Sequence, residues 1–141
     1  RLDKNNLLEH EDIFNELIKN EAMLIQEYQH SITEKGEVAF MVFGGNFSHA
    51  ILKKAKQGDF RVQDDFGGTV HDYNPTEKEI QFAEKVVKTC EPMPLYARVD
   101  IMWDNNNNIC VSELELIEPE LWFRKCETAA DQLAEAIINN I

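Results

Sequence analysis

Four charged residues in the last third of the sequence have the types and the spacing needed to bind a cation. Arg98 and Asp100 alternate within one apolar stretch, and Glu113 and Glu115 alternate within a second. An aspartate and four asparagines separate the two stretches and predict the turn of an antiparallel hairpin. A turn centred in the middle of the asparagine run places Asp100 opposite Glu113 and Arg98 opposite Glu115.

These four side chains are predicted to share one face of the hairpin, because side chains alternate along a strand with period two. Cβ atoms of residues that lie opposite each other are about 5 Å apart. Three carboxylates at that distance repel one another, and one arginine supplies only one compensating charge. A divalent ion would supply the remainder, and Mg²⁺ suits an all-oxygen site. The alternative is an ordinary solvated face of a hairpin whose other face is core.

The elements that must position these residues follow from hydrophobic periodicity and turn signals. They are a helix over residues 7–19, a buried strand over 23–28, strands over 37–43 and 47–54 joined at Gly44-Gly45, a helix over 76–90 with a capping box, the hairpin strands 95–103 and 109–117, and a helix over 128–141. The glycine-bearing segment over residues 57–70 is predicted to be a polar loop. The fold class expected is α+β, a largely antiparallel sheet packed on helices.

Composition limits the functions that this chain can have. Its 141 residues suit one domain, and its formal net charge of −12 opposes general binding to nucleic acid or to anionic membranes. No apolar stretch approaches the roughly 20 residues of a membrane-spanning helix, so we expect a cytoplasmic protein. The three cysteines are widely spaced and predict reduced thiols.

The hairpin motif resembles a known metal-binding hairpin. Arg98-Val99-Asp100 followed by Ser112-Glu113-Leu114-Glu115 is similar to the sequence found in ATP-grasp enzymes such as D-alanine-D-alanine ligase and glutathione synthetase. The resemblance implies that Asp100, Glu113 and Glu115 bind Mg²⁺, with Mn²⁺ as a substitute, and that Arg98 is catalytic. Glu115 stands where those enzymes commonly have asparagine, which keeps an oxygen ligand but adds a negative charge.

A second motif resembles a segment of ribosomal-protein glutamate ligases, which are relatives of the same enzymes. Asp59-Phe60-Arg61 precedes the paired glycines Gly67-Gly68, and the resemblance implies that Arg61 helps to hold the transferred phosphate or the acyl group. Gln63 stands where asparagine is frequent in that family. Taken alone, Arg61 would be interpreted as an exposed loop cation.

A third resemblance concerns the nucleoside. The strand end at Gln26, Glu27 and Tyr28 is similar to the segment whose backbone binds adenine, and Glu37 is similar to the acid that binds ribose. Without the other two motifs, a buried strand and a surface glutamate would be the favoured interpretation of these residues.

Together, the motifs imply the C-terminal portion of an ATP-grasp carboxylate-amine ligase, with ATP and Mg²⁺ as cofactors. Residues 1–35 would be a remnant of the lid subdomain and the adenine hinge, and residues 36–141 the nucleotide- and metal-binding subdomain. The partners would be a small carboxylate and an amine, homo-oligomerisation is left open, and the isolated chain is expected to be inactive. The rival interpretation is a non-catalytic interaction domain on the same scaffold, which would carry an apolar surface where the nucleotide should lie.

Overall fold

The centre of the protein is a five-stranded antiparallel sheet with the strand order β3-β2-β1-β4-β5. The computed structural model describes residues 2–56, 58–62 and 67–140. The strands are β1 (Glu37–Phe43), β2 (Asn46–Lys54), β3 (Thr69–Asp72), β4 (Tyr96–Trp103) and β5 (Ile109–Glu115). The predicted α+β class and four of the five predicted strands are confirmed.

The helices lie on both sides of this sheet and at the N-terminus. They are a 3-10 turn (Leu8–His10) followed by α1 (Glu11–Leu17), a single turn α2 (Ser31–Glu34), α3 (Glu77–Lys88), a second 3-10 turn (Phe123–Lys125) and α4 (Ala129–Ile138). Helix α3 begins with the predicted capping box, in which Thr76 and Glu79 each bind the backbone of the other. None of the helices in the described residues has the length and apolar character needed to cross a membrane.

The two faces of the sheet carry different side chains. On one face, Val38, Phe40 and Val42 of β1 pack with Ala83 and Val87 of α3. On the other face, the half of the sheet near the β1–β2 turn packs against α4 and the loop that precedes it. The other half of that second face is charged, and it carries the candidate site.

The predicted strand over residues 23–28 is wrong. Residues 22–29 have no regular secondary structure, and Leu24 and Ile25 are 100% and 82% exposed. An apolar run becomes a strand only where a neighbouring strand accepts its hydrogen bonds, and among the described residues this segment pairs with no strand of the sheet. Conversely, the edge strand β3 begins at Thr69, inside the segment predicted to be a polar loop, and Val62 in that loop is buried. Gln63 lies outside the described residues.

The β4–β5 hairpin has the predicted register near the candidate site and a different one near its turn. Asp100 pairs with Glu113 and Arg98 pairs with Glu115, as expected, but Ile101 pairs with Val111. Ser112 is therefore an extra residue on β5, a β-bulge that shifts the pairing by one position toward the turn.

Candidate functional site

Three carboxylates converge on one face of the β4–β5 hairpin. Asp100, Glu113 and Glu115 each place an oxygen within 4.8 Å of the others, and we call these three residues the acidic cluster. Asp100 is 0% exposed, whereas the side chain of Glu113 is 54% exposed. The cluster therefore has one oxygen donor fixed in the interior and two that face the outside.

Arg98 is the cation at the centre of this cluster. Its guanidinium nitrogen lies 2.9 Å from Asp100 Oδ2 and 3.6 Å from Glu113 Oε2, and it donates a hydrogen bond to Glu115. Its Nε also donates to Asp100 Oδ1 at 3.0 Å. The predicted convergence of these four side chains on one face is present, while their roles as ligands and as a catalytic group stay predictions.

A buried lysine that sequence reasoning missed completes the site. Lys53 Nζ lies 2.7 Å from Asp100 Oδ2 and 2.5 Å from Glu37 Oε1. Glu37 Oε2 in turn accepts a hydrogen bond of 2.6 Å from the hydroxyl of Ser112, the bulge residue. A signal was available in the sequence, because Lys53 alternates with the apolar Ile51 along β2 and therefore belongs to its inward-facing set.

The charged face, as we call it, is the group Glu37, Lys53, Arg98, Asp100, Glu113 and Glu115. Four carboxylates and two cations give this group a formal net charge of −2. Lys53, Arg98 and Asp100 are buried, and opposite charges that are close together and shielded from water interact much more strongly than they would at the surface. One divalent cation would therefore neutralise the group.

The crowding of carboxylates affects the pKa of Glu113. Partial burial, and then the charges of Glu115 and Asp100, raise this pKa above its usual value, and the two nearby cations only partly oppose the shift. A metal ion bound here would favour the ionised carboxylate.

At Lys53, burial and the neighbouring charges have opposite effects on the pKa. Burial by itself would lower the pKa of Lys53, but the charges of Asp100 and Glu37 outweigh it and raise the pKa above its usual value. Lys53 is therefore a fixed positive charge.

A large apolar cleft lies beside the charged face. Its volume is about 1160 Å³. Most of its wall comes from residues 2–29, which we call the N-terminal segment, and these include the predicted nucleoside residues Gln26, Glu27 and Tyr28. Met102 also lines the cleft, and it lies two residues beyond Asp100 on the same face of β4. The cleft therefore lies next to the strand that carries Asp100, on the same side of the sheet as the acidic cluster.

The cleft wall is attached to the hairpin turn. Asn105 donates to the carbonyl oxygen of Tyr28 at 3.0 Å, its backbone N–H donates to the side chain of Gln29 at 2.9 Å, and its side-chain oxygen accepts from the N–H of His30 at 3.1 Å. The asparagine-rich turn thus positions the segment that was predicted to bind adenine.

The other two predicted site residues lie in different surroundings. Glu37 is buried within the charged face at the start of β1, rather than on the open surface. Arg61 lies in the loop after β2, half-exposed, and its guanidinium pairs with Asp59 at 2.6 Å. Phe60, which precedes Arg61, lines the cleft and packs edge-on against Tyr28. The structure thus brings Glu37 to the acidic cluster and places Arg61 beside the cleft.

His49, on the same face of β2, has a hydrogen-bonding environment of its own. Its Nε2 lies 3.1 Å from the carbonyl oxygen of Leu121, and its Nδ1 lies 2.9 Å from the hydroxyl of Ser48. Because a carbonyl can only accept, Nε2 carries a proton that it donates to Leu121. The Ser48 hydroxyl donates to the side-chain oxygen of Gln132. Both ring nitrogens are engaged, so this histidine is structural.

The donor set fits a hard divalent cation. All three groups of the acidic cluster are carboxylates, the side chains of Glu113 and Glu115 are open to solvent, and the charge of the surrounding face matches one such ion. Oxygen ligands combined with access for water and phosphate are what Mg²⁺ requires.

Comparisons with known proteins identify the family and the fold of this chain. The sequence profile of the RimK-like ATP-grasp domain matches residues 4–140. The crystal structure of D-cycloserine synthetase DcsG is similar to the chain, with 26% identity and a TM-score of 0.66, over 82% of this chain and 41% of that one. A comparison with curated protein sequences gave no match.

The structure of ATP-grasp ligase PsnB complexed with a phosphomimetic variant of a minimal precursor, Mg and ADP is also similar. Its identity is 13% and its TM-score 0.60, over 99% of this chain and 42% of that chain, so it supports the fold alone. The chain spans about two fifths of the length of both solved structures. Because the profile match extends over almost every residue, the family expected from the motifs is confirmed, and the chain belongs to the RimK-like ATP-grasp family.

Proposed function

We propose that this chain supplies the nucleotide- and metal-binding part of an ATP-dependent carboxylate-amine ligase. The observation that carries the proposal is the shared position of the apolar cleft and the acidic cluster on one face of β4. Met102 in the cleft and Asp100 in the cluster are two residues apart, or about 7 Å along a strand. That distance suits a nucleotide whose base lies in the cleft and whose phosphates reach the cluster.

In this proposal the N-terminal segment and the sheet bind the two ends of ATP. The backbone of residues 26–28 would bind adenine between the apolar walls of the cleft. Glu37 would bind the ribose, with Lys53 and Ser112 holding its carboxylate in place. Residues 1–35 would thus form the hinge and the remainder of the lid, and residues 36–141 the nucleotide- and metal-binding subdomain.

The charged side chains would act on the phosphates. Asp100, Glu113 and Glu115 would hold Mg²⁺, which when bound neutralises phosphate charge. Arg98 would donate hydrogen bonds to the transferring group, and Arg61, beside the cleft, would bind the phosphate or the acyl group. Fixed donors of this kind stabilise charge that develops during the reaction.

The reaction proposed for the full-length protein has two steps. An oxygen of a substrate carboxylate attacks the γ-phosphorus of ATP, ADP leaves, and an acyl phosphate forms. An amine then attacks the acyl carbon, inorganic phosphate leaves, the nitrogen loses a proton, and an amide remains. The substrates proposed are a small-molecule carboxylate and an amine. DcsG, at 26% identity, is a D-cycloserine synthetase and supports the ligase class.

The test is a calorimetric titration of the full-length protein with Mg-ATP and with adenosine. Glu113→Gln removes one charge from the acidic cluster while nearly preserving its shape. We expect Mg-ATP to bind about tenfold more weakly or worse, since even outer partners of metal ligands contribute that much. Adenosine, which has no phosphates, should bind equally well to both proteins.

A matched control is Glu118→Gln, an exposed glutamate in the same acidic run just beyond β5. It removes the same net charge and should leave both affinities unchanged. Equal Mg-ATP affinity in wild type and Glu113→Gln would contradict the metal site.

The rival function as an interaction domain predicted an apolar surface at this position, and the cleft wall is largely apolar. The same titration separates the two functions, because an interaction domain would bind neither ligand.

A further inference from the structure

Lys53 forms a bridge across the sheet that its position in the sequence does not suggest. It belongs to β2, whereas Asp100 belongs to β4, and β1 lies between them. The Lys53 side chain therefore reaches across two strand spacings of about 4.8 Å each. Ala39, the β1 residue that pairs with Asp100, is fully buried and small, so the lysine stem can pass over the strand beside it.

Asp100 depends on this bridge for one of its two cationic partners. Its carboxylate is fully buried, and its hydrogen bonds within the described residues are with Arg98 and Lys53. Arg98 also binds Glu113 and Glu115, so its guanidinium is shared among three carboxylates. Lys53 does not touch Glu113 or Glu115 within 4 Å in the described residues, so of the three acidic-cluster carboxylates it holds Asp100 alone.

We propose that Lys53 is the positioning residue of the metal site, holding the Asp100 carboxylate toward Glu113 and Glu115 so that the three can bind one divalent ion. This inference rests on the proposed function, because it assigns a role toward the proposed ion. Outer partners orient the ligands of a metal ion, and a buried carboxylate without such a partner protonates or turns away. Lys53 acts through Asp100 and is not itself a ligand.

The neighbouring lysine provides a matched control. Lys54 is exposed and, as the next residue along β2, projects from the opposite face of the sheet. Lys53→Met and Lys54→Met change the net charge of the protein equally. A difference between them therefore measures the contact with Asp100 and not the overall charge.

The experiment measures Mn²⁺ affinity by electron paramagnetic resonance, in the full-length protein without nucleotide. All variants carry Glu37→Gln, because Lys53→Met alone would leave Glu37 buried without its cation. We expect Lys53→Met/Glu37→Gln to bind Mn²⁺ about tenfold more weakly than Lys54→Met/Glu37→Gln. Melting temperatures, recorded in parallel, separate a loss of fold from a loss of metal affinity.

Equal or tighter Mn²⁺ binding by the Lys53 variant would overturn the inference, since Lys53 would then only compete with the ion for Asp100. If that variant does not fold, Lys53→Arg takes its place, because a guanidinium keeps the charge but not the compact shape of the ammonium. A loss of about threefold or more supports the inference, and unchanged affinity overturns it. Failure of the wild-type protein to bind Mn²⁺ in a Glu113-dependent manner would instead contradict the proposed function.

Discussion

The charged face and the N-terminal segment, residues 2–29, differ in the relation between side-chain type and burial. Lys53, in the charged face, is only 7% exposed although it is charged, whereas Leu24 in the N-terminal segment is fully exposed although it is apolar. The charged face lies on strands with hydrogen-bonded neighbours, whereas the N-terminal segment pairs with no strand in the part of the chain that the structure describes. Backbone pairing, more than side-chain polarity, decides which residues are buried in these two regions.

Truncating one apolar side chain in each region should give the largest difference in the free energy of unfolding. Phe40→Ala, in the middle of β1, is expected to lower the free energy of unfolding by about 4 kcal/mol, because it removes a fully buried ring. Leu24→Ala is expected to change it by about 0.5 kcal/mol or less. Urea denaturation of the 141-residue chain measures both. A large loss for Leu24→Ala would show that the N-terminal segment is packed.

Neutralising one carboxylate in each region extends the comparison to charge. Asp100→Asn leaves Lys53 and Arg98 short of a buried partner, and it should lower the free energy of unfolding by about 3 kcal/mol. Glu16→Gln breaks the exposed pair with Lys19 and should cost about 0.5 kcal/mol or less. The same denaturation experiment compares them, and equal losses would contradict a special role for burial.

The acidic cluster could be predicted from sequence because its geometry is local. Alternation with period two and one short turn are enough to place Asp100 opposite Glu113 and Arg98 opposite Glu115. The helix over residues 76–90 was equally accessible, since its capping box is contained in four residues.

The other contacts of the site could not be predicted, because they join distant strands. The bridge from Lys53 to Asp100 depends on the order of β2, β1 and β4 in the sheet, which periodicity does not reveal. The bulge at Ser112 shows only as a difference in register between the two ends of the hairpin, and that difference is visible only once the strands are paired. The strand predicted over residues 23–28 failed for the same reason, because an apolar run does not indicate whether a pairing partner exists.

A smaller difference in the free energy of unfolding is expected between the first residues of two helices. The Thr76 hydroxyl at the start of α3 accepts from the N–H of Glu79, whereas Thr128 at the start of α4 makes no capping hydrogen bond. We expect Thr76→Ala to lower the free energy of unfolding by about 1 kcal/mol and Thr128→Ala to have a much smaller effect. Thermal denaturation followed by circular dichroism distinguishes them, and equal effects would indicate that threonine propensity, and not the cap, is responsible.

The smallest expected effect concerns pH. Burial lowers the pKa of His49 below its usual 6.5, so below that pH the unfolded chain binds more protons at this residue than the folded protein does. His49 therefore contributes stability that is present above pH 6.5 and is lost as the pH falls toward its folded pKa. Replacing His49 with Gln should reduce the decline in the free energy of unfolding between pH 7 and pH 5. An identical decline in the two proteins would contradict this assignment.

The bridge over β1 also limits how far the site can be moved to another scaffold. A designer who grafts the β4–β5 hairpin would transfer all three carboxylates of the acidic cluster together with Arg98, but would leave Lys53 and Glu37 behind. The transplanted hairpin would keep the same formal net charge of −2, but Asp100 would be held by one shared arginine alone. The smallest portable unit is therefore four adjacent strands, β2-β1-β4-β5, with alanine or a residue no larger at the position of Ala39.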